Sequence, residues 1–135
     1  PEIHPLVLRG PEGCGKSHLL SALAESARAR RGSPLAATDP GRLSRRLGLS
    51  GKAGTLAEFR AWLRSCRLLI LDQAERLPSK TKTQAELVHA LDSLGSAGGV
   101  AVLAFREAPG GLKGLGEPLR SRLQGGLVLQ IDATH

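Results

Sequence analysis

Apolar residues fall along this chain in two alternating rhythms. Continuous runs of strand length occur at Leu6-Val7-Leu8, at 34–38, 67–71, 100–105 and 127–131. None shows the strict alternation of a strand with one wet face, so each reads as a buried strand. Between these runs, apolar positions recur at helical spacing. Leu19, Leu23 and Ala27 share a face after the first run, and Leu87, Ala90, Leu91 and Leu94 repeat before the fourth.

Polar residues mark where those helices begin. Asp39-Pro40 is a cap followed by proline at the first helical position, opening a short basic helix over 40–47. Residues 48–54 are turn-rich. Thr55-Leu-Ala-Glu58 and Thr83-Gln-Ala-Glu86 both have capping-box spacing. The first opens a helix to Ser65, with Phe59 and either Trp62 or Leu63 inward. Gly98-Gly99 separates the second helix from its following strand, Pro109-Gly110-Gly111 starts a loop, and a short helix spans 117–123. Five strands alternating with helices predict an α/β fold, a single domain over residues 1–135 with a parallel sheet covered on both faces. Its ligand is expected at the carboxyl ends of the strands.

Composition narrows the class. With 135 residues, 41% of them hydrophobic, the chain can bury a real core and is not a disordered tail. No apolar run approaches the length of a membrane span, and no basic-then-apolar leader is visible. The chain opens at Pro1 almost on its first strand, as an excised domain would. Cys14 and Cys66 form no C-x-x-C pair, and His4, His18, His89 and His135 lack metal-ligand spacing. A reduced, cytoplasmic setting is the simplest expectation. There is no G-x-S-x-G elbow to support a hydrolase triad. A net charge of +7 suits DNA or another polyanion. It suits equally well a GC-rich coding sequence, given the plentiful Arg, Ala, Leu and Gly. Aromatic residues at 2%, with no Tyr, argue against a stacking platform for single strands.

The candidate chemistry sits behind the first strand. Gly10-Pro11-Glu12-Gly13-Cys14-Gly15-Lys16-Ser17 fits G-x-x-x-x-G-K-[ST], with a strand before it and a helix after it. Glycines let backbone N–H groups converge on phosphate oxygens, and the following helix turns its positive end to the anion. Lys16 is expected at the β- and γ-phosphates and Ser17 on Mg²⁺. A second half of the site comes from Leu68-Leu-Ile-Leu-Asp72, where a buried run ends in a carboxylate. Asp72 is expected to hold Mg²⁺ through water, opposite Ser17. The next residue is Gln73, whose neutral amide can position water but cannot take its proton. Glu75, two residues on, is a substitute acid whose direction the sequence leaves open. Nucleotide binding follows from these motifs; hydrolysis does not.

Four segments carry a family resemblance: "GPEGCGKSHLL", "LLILDQAERL", "KTKTQAELVHALDSL" and "LRSRLQGGLVLQI". In this order and spacing, from Leu6 to Ile131, the chain resembles the core ATPase domain of the bacterial replication initiator DnaA, within the AAA+ class. The resemblance implies a three-layer P-loop sandwich that binds ATP or ADP with Mg²⁺, through residues 10–17, His18 and Asp72. It implies that Arg122 is an arginine finger completing a neighbour's site in trans. It also implies self-association through AAA+ interfaces, single- or double-stranded origin DNA as partner, and other replication proteins beyond. Lys80 and Lys82 fall where initiators contact single-stranded DNA, and Arg42, Arg45 and Arg46 fall in that family's other DNA-contacting region. A solvated basic face explains all five equally well.

The departures are as informative. Gln73 replaces a second Asp, leaving a degenerate water-positioning site. Ala104-Phe105-Arg106 replaces small polar residues and a γ-phosphate-sensing Asp, and Pro118 stands where another Arg is common. The family's helical lid and helix-turn-helix domain are not among these 135 residues. Two functions fit. One is an initiator domain that assembles on DNA with slow or impaired hydrolysis. The alternative is a regulatory module resembling Hda, acting by protein docking with little or no ATPase activity.

Overall fold

The five apolar runs form the five strands expected of them. A computed structural model describes residues 4–11, 13–30, 35–53, 56–107 and 111–131. In chain order the elements are β1 (Leu6–Arg9), α1 (Lys16–Arg28), β2 (Leu35–Thr38), α2 (Pro40–Ala53), α3 (Leu56–Ser65) and β3 (Leu68–Leu71). A short 3-10 turn (Ala74–Arg76) follows, then α4 (Thr81–Ser96), β4 (Val100–Phe105), α5 (Glu117–Gln124) and β5 (Leu127–Gln130). The strands are all parallel, in the order β2-β3-β4-β1-β5.

Side chains of successive strand residues point to opposite faces, and the core divides accordingly. Val7, Leu69, Leu71, Leu103 and Phe105 pack on one face with Leu43 of α2, Phe59 and Leu63 of α3, Leu87 and Leu91 of α4 and Leu119 of α5. Leu8, Ile70, Val102 and Ala104 pack on the other with Leu20 and Ala24 of α1. One helix therefore covers one face while four cover the other. On the edge strand β5, Leu127, Val128 and Leu129 are 41–45% exposed.

Three expectations shift and one open choice is resolved. The buried residues of α1 are Leu20 and Ala24, with Leu23 half-buried against the same cluster; Leu19, expected on that face, is 42% exposed. That helix leaves directly from the phosphate loop, so the loop sets its rotation on the sheet. Residues 48–54 were expected to turn, but α2 runs on to Ala53, because packing of Leu43 and Leu47 on the core overrides the low propensity of its glycines. The Thr83 capping box does not form. Helix α4 starts two residues earlier, and Thr83 and Glu86 are buried. On α3, Phe59 and Leu63 are buried and Trp62 is at the margin. Glu12, Pro34, Thr55, Pro109-Gly110 and His135 lie outside the described residues.

Candidate functional site

The phosphate loop hangs on the carboxyl end of β4. Its first residue, Gly10, donates its N–H to the Phe105 carbonyl at 3.1 Å. A Cβ at this position would stand 2.4 Å from the Ile131 carbonyl oxygen and 2.8 Å from Cys14 Sγ, so only glycine fits. Cys14 is buried, its N–H donating to the Pro11 carbonyl at 3.2 Å, and it belongs to the loop through its backbone. Gly15 lies in the left-handed region at φ +99° and starts α1; Pro11, Gly13 and Gly15 are exposed. The Lys16 ammonium folds back over the loop, donating to the Gly10 carbonyl and to the Pro11 carbonyl, the latter at 3.1 Å.

Fifty-five residues separate Ser17 from Asp72 in sequence, yet the Ser17 hydroxyl donates to Asp72 Oδ2 at 2.8 Å. A hydroxyl and a carboxylate brought together in this way are a pair of hard oxygen donors that fits Mg²⁺. The other carboxylate oxygen of Asp72 accepts the Gln73 N–H at 2.8 Å, and Gln73 itself sits at φ +54°. Beside this pair opens a cavity of about 320 Å³, lined among others by Lys16, His18, Gln73, Glu75, Arg76 and Arg106. The direction of Glu75 is thereby fixed: it faces the cavity, and its Oε1 accepts the Arg106 N–H at 3.0 Å. Arg106, which stands near where the resemblance puts a γ-phosphate-sensing Asp, lines this cavity.

Arg122 stands elsewhere. On α5 it grips Asp92 of α4 with two hydrogen bonds, Nη2–Oδ2 at 3.0 Å and Nε–Oδ1 at 3.2 Å. That hydrogen bonding holds the Asp92 carboxyl below the usual carboxylate range and raises the guanidinium in turn. The pair borders a separate hollow of about 500 Å³ that also contains His4. His4 is fixed there by a bond to the Leu91 carbonyl at 2.8 Å and by the Ala101 N–H on its Nδ1 at 3.1 Å. The structure thus keeps Arg122 away from its own chain's phosphate cavity.

The basic residues separate as well. Lys80 and Lys82 line a groove of about 990 Å³ between α2, α3 and the start of α4, with Leu47, Leu56 and Arg60. Arg60 is locked bidentately to Glu86, both contacts at 3.0 Å. Arg46 stacks 3.6 Å over Trp62, and Arg45 is exposed. Arg42 is not in the groove; it pairs with Asp39 at 3.5 Å and borders a different hollow beside Ser17. Cys66 is buried, and burial pushes its thiol up, as expected for an inert structural cysteine. Among the described residues no cluster of three or more His, Cys, Asp and Glu could hold a metal, and no helix is long and apolar enough to cross a membrane.

Sequence reasoning missed Asp92, Arg60, Glu86 and Arg76. The first three act through partners 26 to 30 residues away, and no local spacing reports such pairs.

Comparisons with known proteins agree with this geometry. The family model described as the bacterial DnaA ATPase domain matches residues 1–130. The chromosomal replication initiator protein DnaA of Sphingopyxis alaskensis is 35% identical over 134 residues, covering 98% of this chain and 30% of that protein. AMPPCP-bound DnaA from Aquifex aeolicus superimposes with a TM-score of 0.90 at 32% identity, over 96% of this chain and 40% of that one. The replication initiator DnaA bound to AMPPCP and single-stranded DNA gives 0.91 at the same identity and coverage. The chain therefore spans less than half the length of each of these relatives.

Proposed function

This chain belongs to the bacterial DnaA ATPase-domain family, and from that premise we propose that it is the ATP- and ADP-binding AAA+ domain of a DnaA-like replication initiation protein, one that assembles on DNA and turns nucleotide over slowly. The observation that carries the reading is the meeting of Ser17 and Asp72 beneath an intact phosphate loop. Backbone N–H groups of residues 13–17 bind the phosphates, and Lys16 swings from its loop carbonyls onto them. Ser17 and Asp72 would hold Mg²⁺, which neutralises charge on the phosphates when bound. Gln73 orients water but cannot itself accept its proton, and the loss of an acid from the end of β3 slows hydrolysis. Arg122 serves a neighbouring subunit's nucleotide, consistent with its distance from its own chain's cavity.

For DNA, the groove with Lys80 and Lys82 combines cations with apolar walls. A family member bound to single-stranded DNA supports DNA as a partner. Removing one lysine that neutralises a phosphate should lower the salt slope of single-strand binding by about 0.7. Lys80→Ala with Lys82→Ala is therefore expected to flatten a salt titration of DNA affinity, and an unchanged slope would move the DNA site elsewhere.

The reading is tested by titrating fluorescent ATP and ADP with Mg²⁺ into the chain and its Lys16→Ala variant. Binding that Lys16→Ala abolishes supports it; binding indifferent to the substitution, or absent, refutes it. A second reading, a regulatory module resembling Hda, is favoured by Gln73 in the water-positioning place and by the closed Arg122–Asp92 pair. Nucleotide binding without ATP-dependent assembly on DNA would select it.

A further inference from the structure

Resting on the nucleotide-binding reading above, we propose that Glu75 is the catalytic acid–base residue of this site, taking the proton of the attacking water that Gln73 cannot take. The cavity beside Ser17 and Asp72 contains two candidate carboxylates. Both oxygens of Asp72 are engaged, one by the Ser17 hydroxyl and the other by the Gln73 N–H, so Asp72 is committed to the metal side. Glu75 faces the same cavity from the 3-10 turn that follows β3, one strand away from the phosphate loop. Its Oε1 is fixed by the Arg106 backbone N–H at 3.0 Å. One oxygen anchored to the tip of β4 holds the carboxylate in place, which is what a positioned base requires.

In the reaction, the water oxygen bonds to the γ-phosphorus as the bond from that phosphorus to the β,γ-bridging oxygen breaks. The bond's electron pair leaves with ADP. The water's proton passes to Glu75 Oε2 and then to the departing phosphate. The acid of this site has thus moved two residues along the chain, from the end of β3 to the turn behind it. Arg106, at the tip of β4, supplies the N–H that holds it.

Glu75→Gln separates this role from a structural one, because the glutamine amide oxygen still accepts the Arg106 N–H while its nitrogen cannot take a proton. The measurements are ATP and ADP affinity, single-turnover hydrolysis of ATP with the chain in excess and single-stranded DNA present, and retention of fluorescent ADP with Mg²⁺ and aluminium fluoride. Glu75→Gln is expected to keep both affinities within about twofold and to slow hydrolysis about 100-fold. Aluminium-fluoride-dependent ADP retention should fall with it. Glu117→Gln, which changes an exposed carboxylate of α5 outside this cavity, should leave hydrolysis within a few-fold. Hydrolysis unchanged in Glu75→Gln, lost equally in Glu117→Gln, or absent from a wild-type chain that binds ATP overturns the role of Glu75 alone. A wild-type chain that binds no nucleotide overturns the underlying reading, so the two failures are distinct.

Discussion

Lys16 and Arg122 are both held by their own chain, but by partners of opposite electrical character. Lys16 rests on the neutral carbonyls of Gly10 and Pro11. Arg122 rests on the Asp92 carboxylate through two hydrogen bonds. A phosphate arriving in the loop competes with carbonyl dipoles for Lys16, and an ionised acceptor outweighs a neutral one. In the proposed assembly, a phosphate arriving from a neighbouring subunit would compete with a full negative charge for Arg122. The loop is therefore ready for ligand on its own, whereas the arginine corner responds only when a partner offers more than Asp92 does. On the proposed function, nucleotide binding and assembly would be separable properties of one small domain.

The sharpest way to break this comparison is at Lys16. Truncating one partner of a close charge pair costs about 2–5 kcal/mol, so Lys16→Ala should weaken ATP binding at least about thirtyfold. Equilibrium titration reads the change directly. Arg122→Ala should do the opposite, leaving ATP affinity within about twofold, because Arg122 borders a different hollow from the phosphate cavity. Sedimentation should nevertheless show ATP-dependent assembly weakened about tenfold, as expected when one charge pair per interface is removed. Equal assembly by wild type and variant would make Arg122 no more than the partner of Asp92.

The same contrast explains what was legible in the sequence. The loop side is written in short-range code: a strand, glycines at fixed offsets, a lysine, a hydroxyl and a helix, all within residues 6–28. Asp72 was legible because a buried run ending in a carboxylate is also a local pattern. The rotation of α1 was not, since the loop's backbone geometry and not the apolar stripe sets it. Nor was the beginning of α4, where Thr83 and Glu86 imitate a cap while packing inward. The direction of Glu75 needed the end of β4 to be placed beside it, thirty-one residues away. Likewise the partner of Arg122 needed α4 and α5 to be packed together. Sequence rhythm reports elements and loops; it does not report which side chains two elements present to each other.

The smallest effect is expected at Asp92, and it tests the holding of Arg122 most directly. Asp92→Asn removes the competing charge while keeping a side chain that can still accept from the guanidinium. If the carboxylate restrains Arg122, ATP-dependent assembly should strengthen by about two- to fivefold, and no more, because the pair is exposed and screened by solvent. Acid should imitate the substitution. The folded-state value of Asp92 lies below that of an ordinary carboxylate because Arg122 hydrogen-bonds its ionised form. Its contribution to stability is therefore complete above the ordinary value of about 3.9 and is lost as pH falls through the lowered one. Comparing acid unfolding of wild type and Asp92→Asn should show the wild type losing slightly more stability in that window. Superimposable acid limbs, together with unchanged assembly, would mean that Asp92 does not hold Arg122 back, and that the two cations differ in position alone.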